Sequence, residues 1–349
     1  RYREMPCMCA DRPVLLVGSV PLESPSAVFA EAGARLGSLA KRVPDGETGV
    51  RKDWIFWQGA AVARASGLAP GGTRPLQGGY EFQLYRLAGS PAGVEFGSLG
   101  YADVALASYR EFARARDGGV LPAGTRFQVS LPTPLAVVLS FFEPDAVAAA
   151  WPLYESALLS ELGRIAGGIP HDDLAVQWDI AAEICFVLED PDMAAVLPME
   201  VLTAAIARVS AAVPAAAELG LHLCYGDPGH KHVIEPKDTG LMVSFSNQLF
   251  AAIGRPVSWV HMPVPRSRDD AGYFAPLRDS KRPAGTELYL GLVHLTDGLD
   301  GARRRLAAAQ EVVTDFGVAT ECGFGRRPPE TVPALLDLHR DVAAAAGTP

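Results

Sequence analysis

Apolar residues along the chain follow two alternating periods. Short runs rich in Val, Ile, Leu and aromatic residues recur, and between them lie longer Ala/Leu-rich stretches whose apolar positions repeat every three or four residues. The first pattern suits strands, the second amphipathic helices. Eight strand-like runs are expected: Val14–Val20, Leu39–Val43, Arg126–Leu131, Leu174–Ile180, Leu221–Tyr225, Val257–Met262, Glu287–Leu295 and Gly317–Cys322. Helices are expected over Ser26–Leu39, Asp145–Ala166, Met199–Leu219, Ala302–Phe316 and Glu330–Ala346. This alternation calls for parallel strands joined by crossover helices, and eight such units predict an α/β protein, a single closed (β/α)8 TIM barrel. Barrels of this kind run to about 250 residues, whereas the chain has 349. The Gly/Pro-rich piece at about 69–99, after the second βα unit, is therefore expected to be an insertion. Residues 1–12 read as a loose lead-in holding Cys7 and Cys9, and 13–349 as one catalytic domain.

Composition narrows the function classes. With 49% hydrophobic and 20% charged residues the chain can bury a large core, and a net charge of -9 argues against nucleic acid as a partner. Arg303-Arg304-Arg305 reads as a solvated helix face. Five cysteines, at positions 7, 9, 185, 224 and 322, are odd in number and irregular in spacing, which excludes a disulfide framework and favours a reducing, cytoplasmic setting. No uncharged apolar stretch approaches the roughly 20 residues of a membrane span, and the opening RYREMPCMCADRP has no secretory apolar core. Cys185, in Ile184-Cys185-Phe186-Val187, and the cluster Trp54-Ile55-Phe56-Trp57 are expected to pack.

In such a barrel, chemistry belongs at the carboxyl ends of the strands. Those ends are rich in polar residues: Gly18-Ser19 after the first run, Asp45-Gly46-Glu47-Thr48-Gly49-Val50-Arg51 after the second, Gln177-Trp178-Asp179 with Glu183 after the fourth, then His222 and Cys224, His261, His294, and Glu321-Cys322-Gly323. Positions i and i+2 of a strand share a face, so His222 and Cys224 can meet one ion, with Cys322 closing the site from another strand. An H-x-C pair fits a packed core equally well. Glu47 and Asp179 suit helix caps or ion pairs as well as ligand binding. His294 is either a proton donor or a structural histidine. His230 and His232 form another period-2 pair, fit either to join His222 on a metal or to cover the barrel mouth.

Taken together, these residues resemble the catalytic C-terminal barrel of the cobalamin-independent methionine synthases, within the superfamily shared with uroporphyrinogen decarboxylase. The resemblance implies that Gly18-Ser19 holds the carboxylate end of a homocysteine-like substrate and that Glu47, Arg51 and Asp179 hold its amino group, with Glu183 nearby. It implies zinc on His222, Cys224 and Cys322, and His294 as a proton donor. Where the family has a zinc-binding Glu, this chain has His261, taken as the fourth ligand. The exchange removes a negative charge, and a zinc with fewer anionic ligands holds a thiolate more firmly and leaves it less nucleophilic. The family's T-G-P turn reads Leu131-Pro132-Thr133-Pro134 here, and its separate N-terminal barrel has no counterpart, so a folate donor stays open. The expectation is a zinc-dependent methyl or alkyl transferase, or carbon–sulfur bond enzyme, acting on a small amino-acid-like thiol. The alternative is a metal-independent decarboxylase or lyase that moves protons with carboxylates and His.

Overall fold

The computed structural model describes residues 11–76, 79–227 and 232–345. Cys7, Cys9 and His230 lie outside them. Seven strands form one parallel, curled sheet in the order β1 (Arg42–Pro44), β4 (Arg126–Pro132), β5 (Leu174–Ile180), β6 (Glu218–Leu223), β7 (Trp259–Pro263), β8 (Glu287–Gly291) and β9 (Gly317–Val318). The remaining two, β2 (Leu68–Pro75) and β3 (Glu81–Leu87), make an antiparallel hairpin within the expected insertion. The strands of the main sheet, short edges included, are largely buried on both faces, as a parallel sheet covered by helices requires. No helix among the described residues is long and apolar enough to cross a membrane.

The first expected strand departs from a regular ladder. Val14 alone bridges both sheet edges, in parallel with Ala40 and with Val318. Beyond it, side chains replace the backbone partner: Leu16 O and Val17 O each accept from Gln128 Nε2 at 3.1 Å, and Val17 O also accepts from Gln177 Nε2 at 2.7 Å. The run is extended and buried, tied by backbone bonds at its start (Val14 N to Leu39 O, Leu15 N to Val318 O) and by amide side chains in its middle, so the sheet is a barrel-like curl rather than a regular eight-stranded ladder. Helix ends also moved. The helix expected over Met199–Leu219 stops at Ser210, and Pro214 and the turn after it lead into β6. Further helices, Tyr101–Asp117 and Gly240–Ala252 among them, fill other crossovers.

Inside the curl, Leu15, Val17, Ala175, Trp259, Tyr289 and Ala319 form their own packed cluster. Gly220 is the ladder partner of Trp259, and a Cβ there would lie 1.9 Å from the indole. Gly220→Ala must displace a fully buried tryptophan, and overpacking of this kind costs about 1–3 kcal/mol. A lower denaturation midpoint with an unchanged slope is expected; an unchanged midpoint would refute the fit. At the amino end of the strands, buried Arg42 pairs with Glu218 and Glu287 and lies over the Trp259 ring at 4.3 Å. That end is closed by an ion-pair plug, which leaves the carboxyl end for a site.

Candidate metal centre and its cavity

One row of ladder partners crosses the sheet near its carboxyl end: Pro132, Asp179, His222, His261 and Tyr289. Partners in a parallel ladder point the same way, so register alone places Asp179, His222 and His261 side by side. Two residues further along the chain from His222 stands Cys224, and Cys322 arrives just after the short β9. Ligand atoms of His222, Cys224 and Cys322 all lie within 4.8 Å of one another. An imidazole and two thiols, largely buried, are the donor set that zinc takes.

Protons are already arranged for a cation. Cys322 is held well below the ordinary thiol range, first by the Cys224 thiol that hydrogen-bonds to it, then by His222 and Arg326, against the opposing effect of burial. The same contact, together with burial, pushes Cys224 up. Burial opposes a charge on His222, but Cys322, Asp179 and Asp227 together outweigh it and raise the ring. The pair thus favours negative charge on the Cys322 sulfur over the Cys224 sulfur.

His261 behaves differently from the expected fourth ligand. Its Nε2 lies 2.9 Å from Thr320 O and its Nδ1 2.7 Å from His222 Nδ1, so both ring nitrogens are engaged. Two tetrahedral zinc ligands at about 2.0–2.1 Å from the ion stand about 3.3 Å apart, wider than the gap between the two rings. Here His261 backs His222 rather than joining it. Burial, and after it His222, hold the His261 ring well below the usual range, hence neutral.

The centre opens into a cavity whose polar wall includes Gly18, Ser19, Glu47, Asp179, Asp227, Gly323 and Arg326. Trp54, Leu76, Phe82, Cys185, Phe186 and Val233 line its apolar side. Leu76 and Phe82 come from the insertion, which docks by stacking Phe56 on Phe82 (4.4 Å) and Phe82 edge-on to Phe141 (5.0 Å). Trp54 and Cys185, expected to be packing residues, are therefore wall residues. Glu47 and Trp54 are the two non-glycine residues at positive φ among those described, +45° and +54°; strained backbone of this kind collects at functional sites. Gly323 is required where the last loop presses on the first: its Cβ would meet Ser19 Oγ at 2.3 Å.

Glu47 and Asp179 are both held above the carboxylate range. For Glu47 the causes are burial and then Asp179; for Asp179 burial dominates and lifts it to about 7, against the pull of His222 and of Gln177, which donates to Oδ1 at 2.9 Å. Two unrelieved acids on one wall are a place for a cation. Arg51 does not fill it. Its guanidinium pairs with Asp45 at 2.7 Å, and Asp45 in turn accepts the Glu47 N–H at 2.8 Å, so Arg51 positions the loop from outside the cavity wall. Glu183 is also absent from the wall: it accepts the Thr133 hydroxyl that caps the helix Pro134–Phe141. His294 sits behind Cys322's neighbour, with Nε2 donating to Val264 O at 2.9 Å and Nδ1 3.4 Å from Glu321 Oε2. His232 faces the other oxygen of Glu321 at 3.1 Å. Burial opposes its charge, but Glu321, Glu235 and Asp227 raise it to about 9.

Sequence reading missed Asp227 and Arg326, which pair at 2.9 Å on the wall. Both follow a metal-site cysteine within four residues, in Cys224-Tyr225-Gly226-Asp227 and Cys322-Gly323-Phe324-Gly325-Arg326, and that proximity was the available signal.

No family model matches the chain, and no curated protein resembles it in sequence. Its fold is similar to a solved B12-independent methionine synthase from Shewanella sp. W3-18-1 in complex with selenomethionine, with a TM-score of 0.59, 14% identity and coverage of 97% of each chain.

Proposed function

We propose that the chain is a zinc-dependent transferase that places an alkyl group on the sulfur of a small amino-acid-like thiol, or otherwise makes or breaks a carbon–sulfur bond, on a (β/α)8 barrel whose eighth stave is the segment Val14–Val20. The observation that carries this reading is that the His222, Cys224 and Cys322 group opens into the same cavity as Glu47 and Asp179. The structural neighbour's complex with selenomethionine, an amino acid, points the same way.

Each wall group has a task in this reading. Glu47 and Asp179 receive the substrate ammonium, which relieves their mutual repulsion. Ser19 Oγ accepts the Gly325 N–H at 3.2 Å, which leaves its own proton to donate to the substrate carboxylate. Trp54, Phe82 and Phe186 exclude water from the sulfur. Zinc bound by His222, Cys224 and Cys322 would lower the pKa of a substrate thiol so that it is a thiolate at neutral pH. His294, hydrogen-bonded and buried, holds a proton behind the wall. A second reading, a metal-independent lyase, draws on Asp179, whose proton exchanges at about pH 7.

The test uses cobalt-substituted full-length protein and homocysteine as the probe. Addition of the thiol is expected to intensify the sulfur-to-cobalt charge-transfer absorption, and a panel of methyl donors, folates included, is then screened for the thioether by mass spectrometry. A spectrum unmoved by homocysteine and by cysteine would refute the reading.

A further inference from the structure

At the centre two histidines that the parallel register puts side by side, His222 on β6 and His261 on β7, approach to 2.7 Å. Chemistry settles which ring donates. Thr320 O is a carbonyl and can only accept, so its 2.9 Å contact requires the His261 proton on Nε2. His261 is fully buried; with its Nε2–H given to Thr320 O, a neutral ring has a bare lone pair on Nδ1, and the 2.7 Å contact between the two Nδ1 atoms then carries its proton from His222. With Nδ1–H given to His261, the one lone pair His222 has for an ion is on Nε2. The brace continues into the third ligand: the Thr320 hydroxyl donates to Cys322 O at 2.7 Å, so one residue fixes His261 by its carbonyl and the Cys322 turn by its side chain.

We infer that His261 is a positioning residue that locks His222 in the Nδ1–H form and aims its Nε2 at Cys224 and Cys322, leaving a three-ligand centre with its fourth place open to substrate. This rests on the metal reading above. In that reading the residue of β7 orients its neighbour, the task that outer-shell acceptors perform for metal-bound histidines.

Two variants of the full chain separate this role from that of a ligand or a filler. In His261→Gln the amide oxygen can accept from His222 and the amide NH2 can donate to Thr320 O; in His261→Phe the volume stays and both bonds go. Zinc affinity by chelator competition is expected to fall about 10- to 100-fold in H261F and to recover to within a few-fold of wild type in H261Q, with one zinc per chain in all three. Nitrogen-15 NMR of the ring should show His222 protonated at Nδ1 in wild type and H261Q. Equal losses in the two variants, or a metal-bound nitrogen on His261, would overturn the inference. Should wild type take up no zinc, the metal reading fails by itself, and the metal-free spectra still decide the inference: His222 with Nδ1 unprotonated refutes it.

Discussion

Cys322→Ser should abolish zinc binding while the chain stays folded. Protein purified without chelator is expected to carry about one zinc per chain, and the variant at least about a hundredfold weaker affinity, beyond the 10–100-fold typical of an outer-shell change. The size of the effect follows from what Cys322 does. It is the sulfur that Cys224, His222 and Arg326 bias toward the thiolate, and a serine hydroxyl at the same place stays protonated and is a hard, poor donor to zinc. His222 loses its anionic partner, and Cys224 loses the acceptor of its thiol proton. A cysteine that merely packed would tolerate serine with a modest loss of stability and no change in metal. Elemental analysis of both proteins, with circular dichroism to confirm the fold, decides between them; equal zinc in the two would remove Cys322 from the site.

The parts of this arrangement that a sequence can show are those set by local period. Runs such as Leu174–Ile180 and Trp259–Pro263 are apolar enough to be read as buried parallel strands, and the i, i+2 spacing of His222 and Cys224 survives folding unchanged because a strand preserves it. What a single strand cannot show is its register against the next. For His261 the choice between ligand and brace turns on the 2.7 Å gap to His222 and on a carbonyl from Thr320, neither of which a strand pattern contains. Arg51 and Glu183 lie off the cavity wall for a similar reason. Each has a nearer partner, Asp45 for one and Thr133 for the other, and a buried charge goes to the partner that is within reach. The first strand was legible as extended but not as paired through Gln128 and Gln177, because side-chain amides that stand in for a ladder leave no periodic trace.

Asp179→Asn should weaken binding of an amino-acid ligand by about 1–3 kcal/mol, or roughly 5- to 150-fold, without lowering stability. The two halves of this expectation come from one fact. In the folded protein Asp179 titrates at about 7, chiefly through burial, against an ordinary value of 3.8. Between those values the folded chain holds a proton that the unfolded chain has released, so the contribution of this group to stability is greatest below the lower value and is lost as pH rises through the upper one. At pH 8 the ionised carboxylate is a cost, which Asn removes; the variant should be at least as stable as wild type there, and the difference should shrink on acidification. Ligand binding has the opposite sign. An ammonium prefers the ionised acid, so wild-type affinity should rise between about pH 6 and 8 with release of a proton, while the Asn variant, left with Glu47, should show a weaker and flatter profile. A residue that costs stability when the cavity is empty and repays it when a cation arrives is one retained for binding. Calorimetric titration at several pH values, paired with denaturant unfolding of both proteins, measures the two slopes. If Asn weakens the fold and leaves affinity and its pH profile untouched, Asp179 is a structural acid, and the ammonium has to be sought elsewhere on the wall.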